Sequence, residues 1–356
     1  MDKSKMLIAG IGQGGCIFAN LMKIKDGRYT NIFINSSLGD MKGLKTADLD
    51  TNVFIYSGGD GSGSDRDKGK KYIINDSARL MSTLNKYKLF KYITVYFSTD
   101  GGTGSGSIIG FVSLTKNTLP NIKINLVGIL PSLKEDNKRL ENARECIRDL
   151  NKISHLINDL KFINNNKGKS YEEINERAVN DIDNAYSMLG HHDIGSIDEG
   201  NLENICTSKG YGVILNLPSN YSNYDEAINT AKVNSVFAMP SNITECEYGG
   251  INVKEGKYNC EKLAEKFKAD ETLYKTYGKN FNLVVLGGCE VPNQDIQDIE
   301  DELTERRLRK SSSTRNFSFN IKTESKEVSK ENTTKTKIDD EESDRYSNFN
   351  PDKFIF

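Results

Sequence analysis

The segment from Phe97 to Ser107, FSTDGGTGSGS, places the strongest constraint on how this chain can fold. It lies between two apolar runs, YITVYF at 92–97 and IIGFVSL at 108–114, which predict a buried strand followed by the first turns of a buried helix. From residue 101 onward the segment has four glycines and three hydroxyl residues, which are Gly101, Gly102, Gly104, Gly106, Thr103, Ser105 and Ser107. Glycine lets an anion approach the backbone, and a helix N-terminus offers it free N–H groups. The segment therefore predicts a phosphate cradle.

A second glycine-rich turn follows the first apolar run of the chain. The strand-like run at 6–9 leads into GIGQGG at 10–15, and apolar residues at helical spacing follow it. This pattern is typical of a strand, turn and helix that bind a nucleotide. A site for NAD also needs an acid where the next strand ends, and the run at 31–34 ends in Asn35, Ser36 and Ser37, with Asp40 several residues later. NAD is therefore disfavoured, although an NAD-dependent dehydrogenase stays an alternative.

A third such turn, SGGDGSGSD at 57–65, follows the strand-like run at 52–56. Taken alone, it is equally well explained as a flexible surface loop. Three glycine-rich turns, each at the carboxyl end of a predicted strand, would instead line one edge of a parallel sheet, where open α/β folds bind ligands. The chain contains no G-x-x-x-x-G-K-[ST] segment, so a P-loop NTPase is excluded.

Composition narrows the class of protein. The 356 residues allow two domains with cores and an extension, and the formal net charge of -2 argues against binding nucleic acid by bulk electrostatics. No apolar run approaches the roughly 18 residues that a membrane span requires. Six scattered cysteines predict reduced, mostly buried thiols, and the histidines have no partner at ligand spacing, so no metal site is expected from either residue type. We expect a soluble cytoplasmic protein.

These loops resemble those of the tubulin/FtsZ family of GTPases. GGTGSGS at 101–107 is similar to the family's signature loop, with Asp100 where a further glycine is usual. The turn at 10–15 with Asn20 resembles the first nucleotide loop, and DGSGSD at 60–65 resembles the γ-phosphate loop. The resemblance implies binding of GTP or GDP with Mg²⁺. The contacts that it implies in the first two loops are Gly12, Gln13, Gly14, Asn20, Gly61, Gly63 and Ser64, and in the signature loop all residues from Gly101 to Gly106.

The same resemblance implies contacts to the sugar and the base. PSLKE at 131–135 with Arg139 is similar to the ribose-contacting segment, which gives Glu135 and Arg139 that role, and Asn158 matches the asparagine that reads guanine. A helix is predicted from Ser170, which forms a capping box with Glu173. Its predicted buried face consists of Tyr171, Ile174, Ala178, Ile182, Ala185 and Leu189.

Tyr171 and Asn175 are four residues apart on this helix and share a face. By resemblance, Tyr171 stacks on the base and Asn175 hydrogen-bonds it. Two alternatives stay open at this point. Tyr171 can belong to the core with Asn175 facing solvent, and Asn180 competes with Asn175 for the contact.

An acidic segment, GSIDEGNLE at 195–203, follows the helix. Acids after a helix are usually solvated, but in the family this loop enters the nucleotide pocket of the next subunit, where an acid positions the attacking water. By resemblance the catalytic acid is Asp198, with Glu199 and Glu203 as alternates. Asn201 stands where a second acid is usual. A site completed by a neighbour couples hydrolysis to head-to-tail contact, and such contacts propagate into filaments.

We therefore expect a tubulin/FtsZ-like α/β fold. The predicted parts are a Rossmann-type parallel-sheet GTP-binding domain at 1–169, a long central helix with the acidic loop at 170–206 and a smaller α/β activation domain at 207–291. The activation domain should include strands near 211–217, 234–239 and 281–287. An amphipathic helix at 292–310 and a disordered charged tail at 311–356 follow.

Within the family the chain most resembles the TubZ branch, the partition GTPases of plasmids and phages. That resemblance implies dynamic filaments that move DNA indirectly, through a TubR-like centromere-binding adaptor that contacts the C-terminal helix or tail, without a membrane partner. The alternatives are an FtsZ-like cell-division GTPase and, because of Asn201, a nucleotide-binding scaffold that does not hydrolyse.

Overall fold

The computed structural model describes residues 1–192, 195–219 and 223–312, with side chains to residue 310. Met1–Thr304 form one compact unit, and a second unit begins at Glu305. The predicted tail at 311–356 lies outside the described residues, except for the backbone of its first two positions. These two positions continue the C-terminal helix, which therefore extends beyond the predicted end at residue 310.

The first half of the chain alternates strands and helices. In chain order its elements are β1 (Met6–Ile11), α1 (Gly12–Lys25), β2 (Thr30–Asn35), β3 (Val53–Ile55), α2 (Arg66–Asn75), α3 (Ser77–Asn85), β4 (Tyr92–Ser98), α4 (Thr103–Thr118), β5 (Lys123–Leu130), α5 (Asn137–Lys152) and β6 (Asp159–Asn164). The four strands predicted before the signature loop are all present. Helix α4 starts within that loop, five residues earlier than its apolar run, so the loop glycines and hydroxyls form its first turns.

The second half is mixed. Its elements are α6 (Tyr171–Tyr186), β7 (Gly190–His192), β8 (Gly195–Ile197), α7 (Glu199–Thr207), β9 (Gly210–Asn216), α8 (Tyr224–Asn234), β10 (Glu245–Val253), α9 (Cys260–Ala264), β11 (Lys268–Tyr277), β12 (Leu283–Cys289) and α10 (Asn293–Ser312). The prediction of a strand at 234–239 was wrong. Asn234 ends α8, and Phe237 makes one isolated antiparallel bridge to Ile163, while β6 pairs with β5 and β9.

One ten-stranded sheet runs through both halves in the order β11-β10-β12-β9-β6-β5-β4-β1-β2-β3. The strands from β9 to β3 are parallel, and β12 is antiparallel to β9. This large parallel sheet confirms the predicted α/β fold. The two predicted α/β parts share the sheet across a short join, because β6 and β9 pair at only two positions. The domain boundaries at 169 and 207 stay predictions.

A buried ion pair lies at this join. Lys161 donates to the Asp159 carboxylate inside the sheet, and both side chains are almost completely buried. Gly212 on β9 faces them, since a Cβ there would lie 2.2 Å from atoms of both side chains. The charges explain why β6 lacks the continuous apolar pattern of its neighbours.

Helix α6 connects the two edges of the sheet. Its sixteen residues span about 24 Å, from Tyr171 to a last turn in which Asp183 accepts a hydrogen bond from Lys3, just before β1. Ser170 accepts from the Glu173 N–H as predicted, but the Glu173 carboxylate accepts from the N–H of Lys169, so the capping box is half formed.

The predicted buried face of α6 is confirmed at Ile174, Ala178, Ile182 and Ala185. The prediction of a buried helical face was wrong at both ends of the helix. Leu189 lies beyond the last helical residue, and Tyr171 is 49% exposed.

Candidate active site

The three glycine-rich loops meet at the carboxyl edge of the parallel strands, as predicted, and surround a cavity of about 530 Å³. Most of the predicted ligand-contacting residues line it. They are Gly12, Gln13, Gly14, Gly61, Gly63, Ser64, Gly101, Gly102, Thr103, Gly104, Glu135, Arg139, Tyr171 and Asn175. The sequence resemblance thus selected residues from five separate segments that the fold brings to one cavity.

The first and third loops touch through their backbones. Gly12 has a φ of +70°, and a Cβ there would lie 2.9 Å from the Gly104 nitrogen. A Cβ on Gly104 would lie 2.9 Å from the carbonyl oxygen of Ile11. Only glycine fits both positions without moving a loop, and this contact sets the floor of the cavity.

The second loop turns back on itself in left-handed conformations. Gly61, Gly63 and Ser64 have φ values of +84°, +59° and +58°, and Ser64 is the one non-glycine with positive φ in the part of the chain described. The Asn142 amide donates to the carbonyl oxygens of Ser64 (2.8 Å) and Asp100 (3.0 Å), which ties this loop to the third loop. Turns of this kind form backbone concavities that suit anions.

Three buried hydroxyls link three loops at the cavity. Ser36 Oγ and Thr103 Oγ1 are 2.6 Å apart, and Thr103 Oγ1 donates to Ser62 Oγ at 3.1 Å. All three residues line the cavity. Ser36 and Ser62 were not predicted as site residues. The signal for Ser36 was its place directly after a strand at the same edge of the sheet.

A chain of polar contacts runs along one side of the cavity. Asp100 accepts from Ser98 Oγ and from Arg139 Nε (2.7 Å). Arg139 Nη1 also donates to Glu135 (3.1 Å), and the Tyr171 hydroxyl donates to the other oxygen of Glu135 (3.0 Å). Partial burial and the Glu135 carboxylate raise the pKa of Tyr171, so its hydroxyl stays protonated and donates.

The alternatives left open for α6 are settled in part. Tyr171 lies at the mouth of the cavity and is not a core residue. Asn175, one turn later, lines the same cavity, whereas Asn180 is exposed and does not line it. The geometry therefore favours Asn175 over Asn180 for a ligand contact.

Asn158 does not line the cavity, and its place in the fold explains why. Its backbone N–H and side-chain oxygen pair with Ile124 near the start of β5, at 2.8 and 3.0 Å. It therefore precedes β6 at the amino edge, one strand length from the cavity. Asn165 follows β6 at the carboxyl edge and does line the cavity.

Three other predicted contacts are also absent from the lining. Asn20 is buried on α1 and accepts from the Thr46 N–H (3.0 Å) and hydroxyl (3.1 Å). Ser105 is fully buried and donates to the carbonyl of Gly101. Gly106 packs α4 against α2, since a Cβ would lie 2.3 Å from the carbonyl oxygen of Arg66. These residues support the loops and do not face the cavity.

The acidic segment is the beginning of helix α7. Asp198 is its N-cap, and its carboxylate accepts from the Asn201 N–H (2.8 Å) while the Asn201 side chain accepts from the Asp198 N–H (3.0 Å). Glu199 accepts from the N–H of Asp2, and Glu203 accepts from the Tyr92 hydroxyl (2.7 Å). Asp198 is exposed, and it contacts α7 through this capping box with Asn201.

This acidic edge, residues 198–203, lies at the opposite end of the parallel strands from the cavity. Glu203 contacts Tyr92, the first residue of β4, and Ser98, the last residue of β4, lines the cavity. Seven residues of extended strand span about 20 Å. The carboxylates of the acidic edge therefore cannot reach the cavity of their own chain.

The cavity also carries carboxylates that sequence analysis did not assign. Asp40 accepts from the Asn35 amide (3.0 Å), and Asp60 is exposed at the rim.

Within the described ranges, no group of three or more histidine, cysteine, aspartate or glutamate residues has the arrangement of a metal site. None of the helices described there combines the length and apolar character that a bilayer crossing requires. The six cysteines are buried, as predicted.

Comparison with known proteins places this geometry in context. Residues 5–168 match the family model described as the Tubulin/FtsZ family, GTPase domain. The tubulin-like protein TubZ of Clostridium botulinum C phage is 27% identical over 312 residues, which cover 86% of each chain.

Two solved structures share the fold. The tail-truncated TubZ of Clostridium botulinum phage c-st has a TM-score of 0.78 at 24% identity, with 87% of this chain and 100% of that chain covered. A GTPγS-form protofilament of TubZ from Bacillus thuringiensis serovar israelensis has a TM-score of 0.73 at 12% identity, with 86% and 93% covered.

Proposed function

Residues 5–168 belong to the tubulin/FtsZ family of GTPase domains, and from this premise we propose that the chain hydrolyses GTP at contacts between head-to-tail subunits. The observation that carries the proposal is the separation of the cavity and the acidic edge by the length of β4. A second copy, stacked with its acidic edge on the cavity, would complete the site. Such a contact is heterologous and repeats along a filament.

The phosphates of GTP would lie against the glycine loops. The N-terminus of α4 supplies backbone N–H groups and a positive dipole end, and the left-handed turn from Gly61 to Ser64 supplies a concave backbone. The linked hydroxyls of Ser36, Ser62 and Thr103 add donors. These groups favour a polyanion.

The ribose and guanine would lie toward α6. Glu135 and Arg139 support ribose contacts, Tyr171 offers a ring for stacking, and Asn175 offers an amide. We assign the second base contact to Asn165 in place of Asn158, because Asn165 is at the carboxyl edge. The dehydrogenase alternative loses support, since the matched family hydrolyses GTP.

The cavity residues also fit a Mg²⁺ ion bound together with phosphate. Mg²⁺ prefers oxygen ligands and usually takes one or two carboxylates alongside phosphate oxygens. Asp60 is an exposed carboxylate at the rim, and Ser62 is two residues away. When bound, the ion would offset negative charge on the phosphates.

Asp198 is the proposed catalytic acid, which would position the attacking water. It is exposed, whereas Glu199 and Glu203 already accept hydrogen bonds from Asp2 and Tyr92. Asn201 holds the start of α7 through the capping box and keeps Asp198 at the helix end. The change from acid to amide at residue 201 therefore still leaves one carboxylate available, which argues against a scaffold that does not hydrolyse.

A labelled-nucleotide experiment tests completion in trans. Asp198→Ser keeps a side-chain oxygen for the N-cap but removes the carboxylate. The variant is loaded with GTP labelled at the γ-phosphate and mixed with excess wild-type protein that carries GTPγS, with free GTPγS as a chase. We expect release of labelled phosphate after mixing and none when the GTPγS carrier is also Asp198→Ser. No release in either mixture would contradict the proposal.

We further propose that the filament partitions plasmid or phage DNA in the cytoplasm, through a TubR-like adaptor that contacts the C-terminal helix or tail. The support is the likeness to a phage TubZ and the charged composition after residue 310. A chain ending at Lys310 should keep GTP turnover and lose binding to the adaptor–DNA complex. Equal affinity of the truncated and full chains would contradict this role for the tail and leave the helix as the contact, whereas a full chain that does not bind the adaptor–DNA complex would contradict the partition role and favour the division-type alternative.

A further inference from the structure

We propose that Asp100 is a positioning residue that fixes the sugar-and-base side of the cavity through Arg139, Glu135 and Tyr171. The proposal rests on the proposed function, because it takes the ligand to be a guanine nucleotide. It concerns the position at which this chain departs from the glycine usual in the signature loop.

Asp100 is a buried charge with all of its oxygens engaged. It is 3% exposed, and its carboxylate accepts from Ser98 on β4 and from Arg139 on α5. Its backbone carbonyl accepts from the Asn142 amide at 3.0 Å. A buried carboxylate requires a compensating cation, so Arg139 is held where Asp100 places it.

Arg139 then carries this constraint across the cavity wall. Its guanidinium, 36% exposed, lies between two carboxylates, with Nε on Asp100 and Nη1 on Glu135. The planar guanidinium fixes the relative orientation of these two contacts. Because Arg139 carries one positive charge between two negative charges, its main effect is to hold the two carboxylates in position. It contributes little positive charge to the binding of phosphate.

Glu135 connects Arg139 to the aromatic ring of Tyr171. One of its oxygens accepts from Arg139 at 3.1 Å and the other from the Tyr171 hydroxyl at 3.0 Å. Tyr171 is 49% exposed at the cavity mouth, so packing alone would leave its ring several rotamers. The hydrogen bond to Glu135 selects one of them before the nucleotide arrives, and such pre-organisation raises affinity.

The structure also indicates which steps Asp100 should not affect. The linked hydroxyls of Ser36, Ser62 and Thr103 hold the phosphate side and do not include Asp100. The acidic edge lies one strand length away. Asp100 should therefore influence affinity for GTP and GDP equally and leave the turnover rate of bound GTP unchanged.

The test compares nucleotide affinity with turnover in the full chain. Asp100→Asn keeps the shape and removes the charge. Its matched control is Asp225→Asn, which alters an exposed acid of α8 that pairs with Lys266. We expect Asp100→Asn to weaken binding of GTP and of GDP by about ten- to a hundredfold, as loss of a charge-assisted hydrogen bond does, with an unchanged maximal turnover rate. Unchanged affinities would overturn the proposal.

A double-mutant cycle separates positioning from a general structural role. Glu135→Gln interrupts the contacts at a half-buried position without leaving a buried charge, so it remains informative if Asp100→Asn fails to fold. Tyr171→Phe removes only the hydroxyl. If Asp100 acts through Tyr171, either first change should make Tyr171→Phe nearly silent, whereas additive losses would overturn the proposal. A wild-type chain that binds no guanine nucleotide would instead refute the proposed function itself.

Discussion

At the carboxyl edge of the parallel strands the chain gathers backbone turns and hydroxyls around a cavity, whereas at the amino edge it presents carboxylates on the first turn of α7. The cavity edge is built from residues whose positions are fixed by one another, such as Gly12 against Gly104. The acidic edge begins with a capping box that leaves Asp198 exposed, while Glu199 and Glu203 accept hydrogen bonds from outside α7. In the proposed function, the cavity edge holds the ligand and the acidic edge meets a second subunit.

The difference has a chemical consequence. Binding is favoured by many donors fixed in advance, because donors that already point into the cavity need not reorganise when the anion binds. Positioning one water molecule requires a single carboxylate, which a second subunit can bring to the cavity when the subunits associate. In the proposed function, the two functions lie about 20 Å apart, at opposite ends of β4, and this separation would make hydrolysis depend on assembly.

Asp198→Ala should lower GTP turnover in assembled protein by about a hundredfold or more, because it removes the acid that we propose positions the water. Nucleotide affinity and assembly should not change, since the cavity edge is intact. Turnover, nucleotide binding and sedimentation of one preparation measure the three properties together.

Asn201→Ala is the matched control for this change. It removes half of the capping box, at a cost of about 1 kcal/mol in stability, and keeps the Asp198 carboxylate. Its turnover should stay within a few fold of wild type. If the Asp198 variant hydrolyses freely, the assignment moves to Glu199 or Glu203.

Helix α6 connects the two edges, and its residue Asp181 should make the stability of the folded chain depend on pH. Burial raises the pKa of Asp181 to about 6, while a hydrogen bond from Asn216 only partly offsets this effect. The folded state therefore binds this proton more tightly than the unfolded state. The corresponding stability is present at low pH and is lost as pH rises from about 4 to about 6, an effect of up to about 3 kcal/mol.

Asp181→Asn should remove this loss. We expect denaturant unfolding to show the variant gaining stability relative to wild type across that range, and a constant difference above about pH 7. Parallel pH curves for the two proteins would show that Asp181 is not the responsible group. Turnover of the variant should be unchanged, because Asp181 is part of neither edge.

Gly12→Ala tests the backbone contact at the cavity edge. A left-handed alanine costs about 1–2 kcal/mol, and its Cβ would displace the third loop. GTP affinity should fall by about tenfold or more, as measured by equilibrium binding. Gly27→Ala is the control, because nothing lies within 4 Å of its Cβ position. Equal affinities of the two variants would contradict the proposed role of this contact.

Ser36→Ala should have the smallest effect. It removes one hydroxyl from the linked group and leaves Thr103 its contact with Ser62, so affinity for GTP should fall by only a few fold, or about 1 kcal/mol. Ser113→Ala removes a comparable hydroxyl on α4, where Ser113 donates to the carbonyl of Ile109, and should not change affinity. Equal behaviour of the two variants would remove Ser36 from the site.

The sequence was informative where local patterns and function coincide. Glycine-rich turns after apolar runs predicted both the strands and the edge at which the cavity forms, because few other residues fit tight turns near an anion. The helix from Ser170 was predicted for the same reason, since its cap and apolar spacing are local signals.

The sequence was less informative where long-range packing decides the outcome. Strand β6 was not predicted, because the buried charges of Asp159 and Lys161 interrupt its apolar pattern. Without that strand, the edge to which Asn158 belongs could not be assigned, and Asn165 was missed. Asp100 was noticed as a departure from the family pattern, but only its contact with Arg139 shows where the carboxylate goes.

Completion of the site between subunits can be measured as GTP turnover per subunit against protein concentration, with light scattering recorded on the same samples. If the site is completed between subunits, turnover per subunit should rise above a threshold concentration that coincides with the onset of scattering. Turnover per subunit that is independent of concentration would mean that one chain contains the whole active site, and would contradict the account.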